Sequence, residues 1–539
     1  MLSLPPVETF TPDERAALAP FFTNADRPVF ALRNLPEVVK GALFARYSRS
    51  AKSLRRLFLD EFLDEVGGGR GADEVGVRRA EKLYAKVLGE YGDDSVAQLG
   101  VAHVACEGVS NVLTKVLEWG RLMSYLEQST RYVPYTDRPG DRWKYHVPVE
   151  IETERPLRER FVTLLDDAFE TYARWLEPMQ EHFAAQLPPG EGVSDVAYRA
   201  TIRAKALDAL RGLLPAATRS NVGICGSGQG YEAMLLRMRG HASAEVRTFG
   251  EMLLAELREV IPAFLTRVDR PDRGGVWTEY LATNVRETDA IARRLFADVH
   301  EVEPPPRPEV TLADFDPIGE LKVIAAALYP SCDLPDDRIQ ARVHAMTRAE
   351  RAEILQAYVG DRKNRRHKPG RAFERTSYRF DVLSDYGSFR DLQRHRMLTI
   401  EWQPLTTDHG YDVSPAVKAV GARDDWDRVM EQGRALHDAL RASPAPHVAG
   451  YAVPMAYRIR YVMEMNAREA MHLIELRSAP QGHPTYRRVA QAMHRLIAQK
   501  AGHRAIAAAM TFADHSDAGE GRLRSEQASE AKRRGPDGA

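Results

Sequence analysis

Cysteine is nearly absent from this chain: three residues in 539, Cys106, Cys225 and Cys332, stand far apart and without metal-ligand spacing. Such a set excludes a disulfide framework and a cysteine-built zinc site, and each cysteine reads as a small buried apolar residue rather than a nucleophile. An excess of either charge is missing too, because 75 Lys and Arg meet 76 Asp and Glu for a net charge of −1. No global field attracts nucleic acid or an anionic membrane, so any polyanion site must be local. No stretch approaches about 18 uninterrupted apolar residues, and the opening Met1-Leu2-Ser3-Leu4-Pro5-Pro6 has no basic region followed by an apolar run. These absences point to a cytoplasmic protein with neither nucleic acid nor membrane as partner.

What is present is ordinary in bulk and informative in detail. Hydrophobic residues make up 44% and charged residues 28%, as in globular proteins, and 539 residues exceed what one core serves. Two domains are therefore expected, residues 1–300 and 310–515, joined at 301–309 by the proline-rich Glu303-Pro304-Pro305-Pro306-Arg307-Pro308, a stiff extended linker. Residues 516–539 are rich in charged and small residues and form a disordered tail. Gly67-Gly68-Gly69-Arg70-Gly71 lacks a following Gly-Lys-Ser/Thr and reads as a loop rather than a phosphate cradle.

The two halves look like diverged copies of one unit. In the second, Tyr378, Phe380 and Val382 alternate with Arg379 and Asp381 as in a half-buried strand, and Gly387-Ser388 turns the chain toward Arg394. In the first, Val101–Cys106 takes the strand's place, and Val109, Val112, Leu113, Val116 and Leu117 follow at helical spacing. Sequence around Val462, Met465, Leu473 and Leu476, and from Met234 onward, reads as helix. The fold class is α+β, each copy an antiparallel or mixed sheet flanked by helices.

Three segments carry candidate chemistry. Glu127, Ser129 and Arg131 are spaced by two, so an extended backbone points them to one side, as a phosphate grip of hydroxyl and forked guanidinium requires. The bland alternative is a strand edge with a surface ion pair. Arg394-His395-Arg396 ends a short helix, where basic side chains also serve simply to complement the helix dipole. In Asn466-Ala467-Arg468 to Leu476-Arg477, positions 466, 470, 473 and 477 share a helix face, with plain packing as the alternative. The run Gly226-Ser227-Gly228-Gln229-Gly230 is not a dinucleotide fingerprint, since its spacing is wrong and no clear strand leads into it.

The segment Arg121-Leu122-Met123-Ser124-Tyr125-Leu126-Glu127-Gln128-Ser129-Thr130-Arg131 and the segment Arg394-His395-Arg396 each resemble part of one signature, R-H-R-x-x-S-x-N-E-x-S-x-R, of the flavin-dependent thymidylate synthase family (ThyX). The first keeps the S-x-x-E-x-S-x-R end and the second the R-H-R end, so the chain resembles a tandem duplication with complementary losses. The resemblance implies two ThyX-like domains that move a methylene group from methylenetetrahydrofolate to dUMP. FAD supplies the hydride and NADPH recharges it, with no cysteine nucleophile. It implies Arg121, Glu127, Ser129, Arg131 and Arg477 at the nucleotide, with Arg131 and Arg477 catalytic. It places Glu374, Arg394, His395, Arg396, Asn466, Arg468 and His472 at the flavin, and no metal. It implies a homodimer standing in for the family's tetramer, and a composite site in which Glu127, Ser129 and Arg131 of one half meet Asn466, Arg468 and Arg477 of the other. The alternative it leaves open is a catalytically inactive tandem relative that binds nucleotide or flavin, or serves as a structural module.

Overall fold

A computed structural model of the chain describes residues 8–28, 30–47, 50, 52–63, 98–189, 194–297 and 308–516. The glycine-rich segment at 67–71, almost all of the proline-rich linker and the tail from 517 lie outside the described residues. The chain forms two compact units that do not follow the expected split at the linker. One holds residues 1–107, 120–127 and 221–300; the other holds 108–119, 128–220 and 301–539. Among the described residues no helix is long and apolar enough to cross a membrane.

The first unit is built on three strands in the order β1-β3-β2, where β1 is Val101–Ser110, β2 Met123–Glu127 and β3 Arg219–Ser227. β2 runs antiparallel to β3, with Met123 opposite Gly226 and Glu127 opposite Val222. Gly226 lets the Met123 side chain lie close over β3: a Cβ there would meet Met123 Cε at 2.5 Å, and the methionine would have to swing aside. A strand therefore does lead into the glycine run, contrary to the sequence reading. Ser227 then caps the helix Gly228–Arg239 by accepting from the Gly230 amide at 3.2 Å. The run is a strand-to-helix junction whose small residues let β2 approach.

The second unit carries a four-stranded antiparallel sheet in the order β4-β5-β7-β6: β4 Val310–Phe315, β5 Ser377–Asp385, β6 Thr399–Trp402 and β7 Arg458–Asn466. Tyr378, Phe380 and Val382 are buried as their alternation predicts. They join one core with Phe161, Tyr172 and Leu207 from the helices Arg155–Gln186 and Asp195–Leu210, and with Leu473 and Val489 from the helices Ala467–Arg477 and Pro484–Gln499. First-half and second-half residues thus share one hydrophobic core, which is why the compact unit crosses the expected boundary. The α+β class stands.

Local expectations needed correction at four places. Val462 and Met465 lie in β7, where Met465 and Met463 face the core with period two; the helix begins only at Ala467. Val109 belongs to β1, and the helix that follows is Asn111–Leu117. Gly387 and Ser388 are not a turn but the first turn of the helix Tyr386–Gln393, because Asp385 caps it, accepting from the Ser388 amide at 2.8 Å. Of the cysteines, Cys106 is buried and its thiol is pushed up to about 11 by that burial, whereas Cys225 and Cys332 are half-buried.

Candidate functional site

β2 stops at Glu127, and Ser129, Thr130 and Arg131 form a turn in which the Tyr132 and Val133 amides both donate to the Ser129 carbonyl. The period-two projection of Glu127, Ser129 and Arg131 therefore fails: the backbone curls before the arginine, and Ser129 Oγ accepts from the Arg131 amide at 3.2 Å. The curl sends Arg131 into the second unit's interior, where it is 8% exposed. Its Nε and Nη2 fork onto Asp208 Oδ1 and Oδ2 at 2.7 and 2.8 Å, Nη1 donates to the Tyr486 hydroxyl at 2.7 Å, and Nη2 also reaches the Gln481 carbonyl at 3.2 Å.

Beside it lies a carboxylate surrounded by cations. Asp391, held in the helix Tyr386–Gln393, accepts from Arg394 Nη2 at 2.5 Å and from Arg211 Nη1 at 3.3 Å, with Arg477 Nη1 at 3.9 Å. Burial acts to raise its pKa, but Arg394, Arg211, Arg477 and Arg131 together hold the carboxyl well below the usual range. Arg477 and Arg131 sit over the same Tyr486 ring, 5.4 and 5.5 Å from its centroid. Their fates differ. The bidentate Asp208 raises the Arg131 pKa despite burial, whereas burial, with Arg394 and Arg131 as neighbours, lowers that of Arg477. Arg477 is a largely buried cation, its side chain 15% exposed, without a forked carboxylate of its own.

The sequence reading missed Arg211, Asp208, Asp391, Tyr486 and His483. Arg211 is 3% exposed, and its Nε and Nη2 have no hydrogen-bond partner. A signal for it existed: one guanidinium within the apolar run Ala209-Leu210-Arg211-Gly212-Leu213-Leu214 needs a buried partner or ligand. His483 donates from Nε2 to the Asp208 carbonyl at 3.3 Å while Nδ1 accepts from the Thr485 amide; burial and Arg211 push its pKa down to about 3, so it is neutral. Asp208, Arg211 and His483 also line a cleft of about 1110 Å³, roughly the size of a small-molecule site. Four guanidiniums (Arg131, Arg211, Arg394, Arg477) outnumber the carboxyls they face, Asp208 and Asp391, together with Asp385, which acts on Arg211.

Arg394 is the C-cap residue of its helix, and His395 follows it, buried, as expected of a helix-end basic cluster. Arg477 Nε donates to His395 Nε2 at 3.0 Å, and His395 Nδ1 faces Glu469 Oε1 at 3.0 Å. Burial first, then Arg477, Arg394 and Lys368, hold the imidazole pKa well below its usual value, so the ring is neutral and the contact with Glu469 is a hydrogen bond rather than an ion pair. His472, half-buried next to them and pushed down to about 4 by burial, completes a His-Glu-His group whose ligand atoms lie within 4.8 Å of one another. Charge argues against a divalent cation there: Lys368, Arg468 and Arg396 all act on Glu469, and Arg477 already occupies the His395 ring.

Other expected site residues lie nearby with different duties. Arg396 is exposed; Arg468 is half-buried, donates from Nε to the Pro369 carbonyl at 3.0 Å and pairs with Glu374 at 3.5 Å. Asn466 does not project from the helix face it was read on: it is the N-cap, and its Oδ1 accepts from the Glu469 amide at 2.9 Å. Arg121 and Glu127 belong to the first unit, Arg121 exposed in the turn before β2 and Glu127 buried at the strand's end. The arginines of the two signature segments, Arg131 and Arg394, do meet within one unit along with Arg477.

The chain is 37% identical over 524 residues to a UPF0159 protein of Chlamydia muridarum, covering 96% of this chain and 98% of that one. It is 31% identical over 512 residues to a UPF0159 protein of Thermoplasma acidophilum, covering 90% and 97%. A flavin-dependent thymidylate synthase of a Mycobacterium species matches a shorter stretch, 30% over 182 residues, 33% of this chain and 67% of that enzyme. The family model of the thymidylate synthase complementing proteins matches residues 42–263 and again 316–502. Its two segments coincide with the two copies whose complementary signature halves the sequence carries, and the chain belongs to that family, Thy1 or ThyX.

Proposed function

We propose that the protein is a flavin-dependent thymidylate synthase with one composite nucleotide site per chain. The carrying observation is the largely buried cluster of Arg131, Arg211, Arg394 and Arg477, which brings one arginine from each signature half together with two others and holds more guanidiniums than carboxyls beside the cleft. A nucleoside monophosphate dianion complements that positive excess, and forked guanidiniums match phosphate geometry. The unpartnered Nε and Nη2 of Arg211 and the disfavoured Arg477 cation would gain most from its arrival.

A flavin fits the residues next to this cluster in charge and donor type. Arg396, Arg468 and Lys368 provide cations on the outer side, suited to a pyrophosphate; Asn466 keeps its amide N–H₂ beyond the cap, and His395 and His472 are neutral rings. Bound there, FAD would supply the hydride that completes methylation after methylenetetrahydrofolate donates the carbon, with NADPH as reductant. The chain's own part is to hold dUMP by its phosphate, to orient it and to stabilise negative charge developing on the uracil with buried guanidiniums. His395, flanked by Arg477 on one ring nitrogen and Glu469 on the other, would lie between the two proposed ligands. We place the working form as a homodimer.

The test is a visible absorbance spectrum of the purified protein followed by FAD and dUMP titrations. Tight stoichiometric flavin and dUMP-dependent turnover are expected, with Arg131→Ala abolishing dUMP binding while FAD stays bound. Unchanged dUMP affinity in that variant sinks the assignment. Asp391, a carboxylate inside the cluster, favours a second reading, a nucleotide-binding module without turnover; dUMP binding with no methylation in the presence of FAD and folate would establish it.

A further inference from the structure

Glu469 has no role in the reading above, yet it is buried at the far end of a chain of contacts that stops at the arginine cluster. Arg477 Nε–H can only donate, so the His395 Nε2 that receives it at 3.0 Å must carry a lone pair. A neutral imidazole then has its single proton on Nδ1, the atom 3.0 Å from Glu469 Oε1. Glu469 can only accept at that point, so it selects the tautomer that Arg477 needs; the opposite tautomer would set two N–H groups against each other. With its Nε edge held by His395 and its face by the Tyr486 ring, Arg477 is left to present its Nη groups toward Asp391 and the cluster.

We propose that Glu469 is a positioning residue for nucleotide binding: through the His395 tautomer it fixes the Arg477 guanidinium in the orientation that meets the phosphate monoester. The proposal rests on the nucleotide reading of the arginine cluster. Glu469 itself touches neither Arg477 nor the cluster, and its backbone amide, not its carboxylate, serves the Asn466 cap, so shortening the side chain leaves the helix start intact.

A double-mutant cycle with dUMP affinity measured by calorimetry tests it. Glu469→Ala weakens dUMP about tenfold and Arg477→Ala more, and the double variant is no weaker than Arg477→Ala alone, because both act on one guanidinium. Glu469→Gln, whose carbonyl oxygen still accepts from Nδ1, restores affinity to within about threefold of the wild type. A purely structural role for Glu469 would give effects that multiply and no rescue by Gln, and that result overturns the proposal. ¹⁵N spectra of the histidine rings, assigned with His395→Gln, supply a readout independent of any nucleotide. Protonated Nδ1 and bare Nε2 at His395, lost or mixed in Glu469→Ala, are expected; a proton on Nε2 in the wild type overturns the proposal. Failure of the wild-type protein to bind dUMP, with the ring protonated as stated, would instead remove the nucleotide reading and with it the proposed duty of Glu469.

Discussion

Two groups of buried arginine in the same compact unit show opposite satisfaction. Arg362 forks onto Glu475 at 2.6 and 2.7 Å, donates to the Ala509 and His367 carbonyls, and lies over the Phe512 ring. Its charge is matched one for one and its donors are directed, so nothing is left for a ligand to do. In the Arg131, Arg211, Arg394 and Arg477 cluster, cations outnumber carboxylates, Arg211 has two unused donors and Arg477 lacks a fork. Burying charge this way costs free energy that the fold alone does not recover. The difference separates a clamp that ties the C-terminal segment to the helix Ala467–Arg477 from a cluster with unused donors, the one proposed above for the nucleotide.

The comparison breaks most visibly in stability. Glu475→Ala strands the Arg362 cation in the interior and should lower unfolding free energy by about 3–5 kcal/mol in urea. Arg477→Ala, two residues beyond Glu475 but outside that clamp, removes a disfavoured cation and should stay within about 1 kcal/mol of the wild type. Equal losses in the two variants would mean that the cluster is structural after all.

Binding sharpens it from the other side. Arg211→Lys replaces a fork by a point charge that cannot satisfy Asp391 and a phosphate together, so dUMP affinity should fall about ten- to hundredfold by calorimetry with little change in urea midpoint. Arg362→Lys should do the reverse, losing stability while the remaining folded protein binds dUMP as before. A stability loss in Arg211→Lys as large as that in Arg362→Lys would erase the distinction.

How much of this was legible in the sequence depends on how local the cause was. β5 was, because Tyr378, Phe380 and Val382 alternate and one face of the sheet is buried. The basic helix end at Arg394 was, although the start of that eight-residue helix was read as a turn at Gly387-Ser388 where Asp385 in fact caps it. β7 was misread as helix around Val462 and Met465, since a short apolar run preceding a true helix carries no period that separates the two. The curl at Ser129 was hidden because a side chain accepting from the backbone two residues on is a local choice that spacing does not encode. The residues that complete the cluster, Asp208 and Arg211 from one segment and Tyr486 and His483 from another, come from places with no shared motif. Only the fold brings them together, and what the sequence offered was the isolated charge of Arg211 in an apolar run.

The smallest effect expected is in pH dependence. Both regions contain buried ionic groups, but the cluster has neutral histidines against it, His395 on Arg477 and His483, the latter pushed down to about 3 by burial and Arg211. In the unfolded chain a histidine takes up a proton near its ordinary value of about 6.5, so between there and about 3 the unfolded state binds the extra proton. Stability therefore falls as pH drops through this window, by about 1.4 kcal/mol per pH unit for one such residue. His483→Asn removes the titration while keeping an acceptor for the Thr485 amide at the start of the helix Pro484–Gln499. Urea unfolding at pH 6 and pH 5 should show a slope shallower by about that amount than the wild type, with the slope of a variant at the Arg362 clamp unchanged. An identical slope in His483→Asn and the wild type would mean that His483 is protonated in the folded protein, which the cationic field of Arg211 and Arg131 would permit only if anions already filled the cluster.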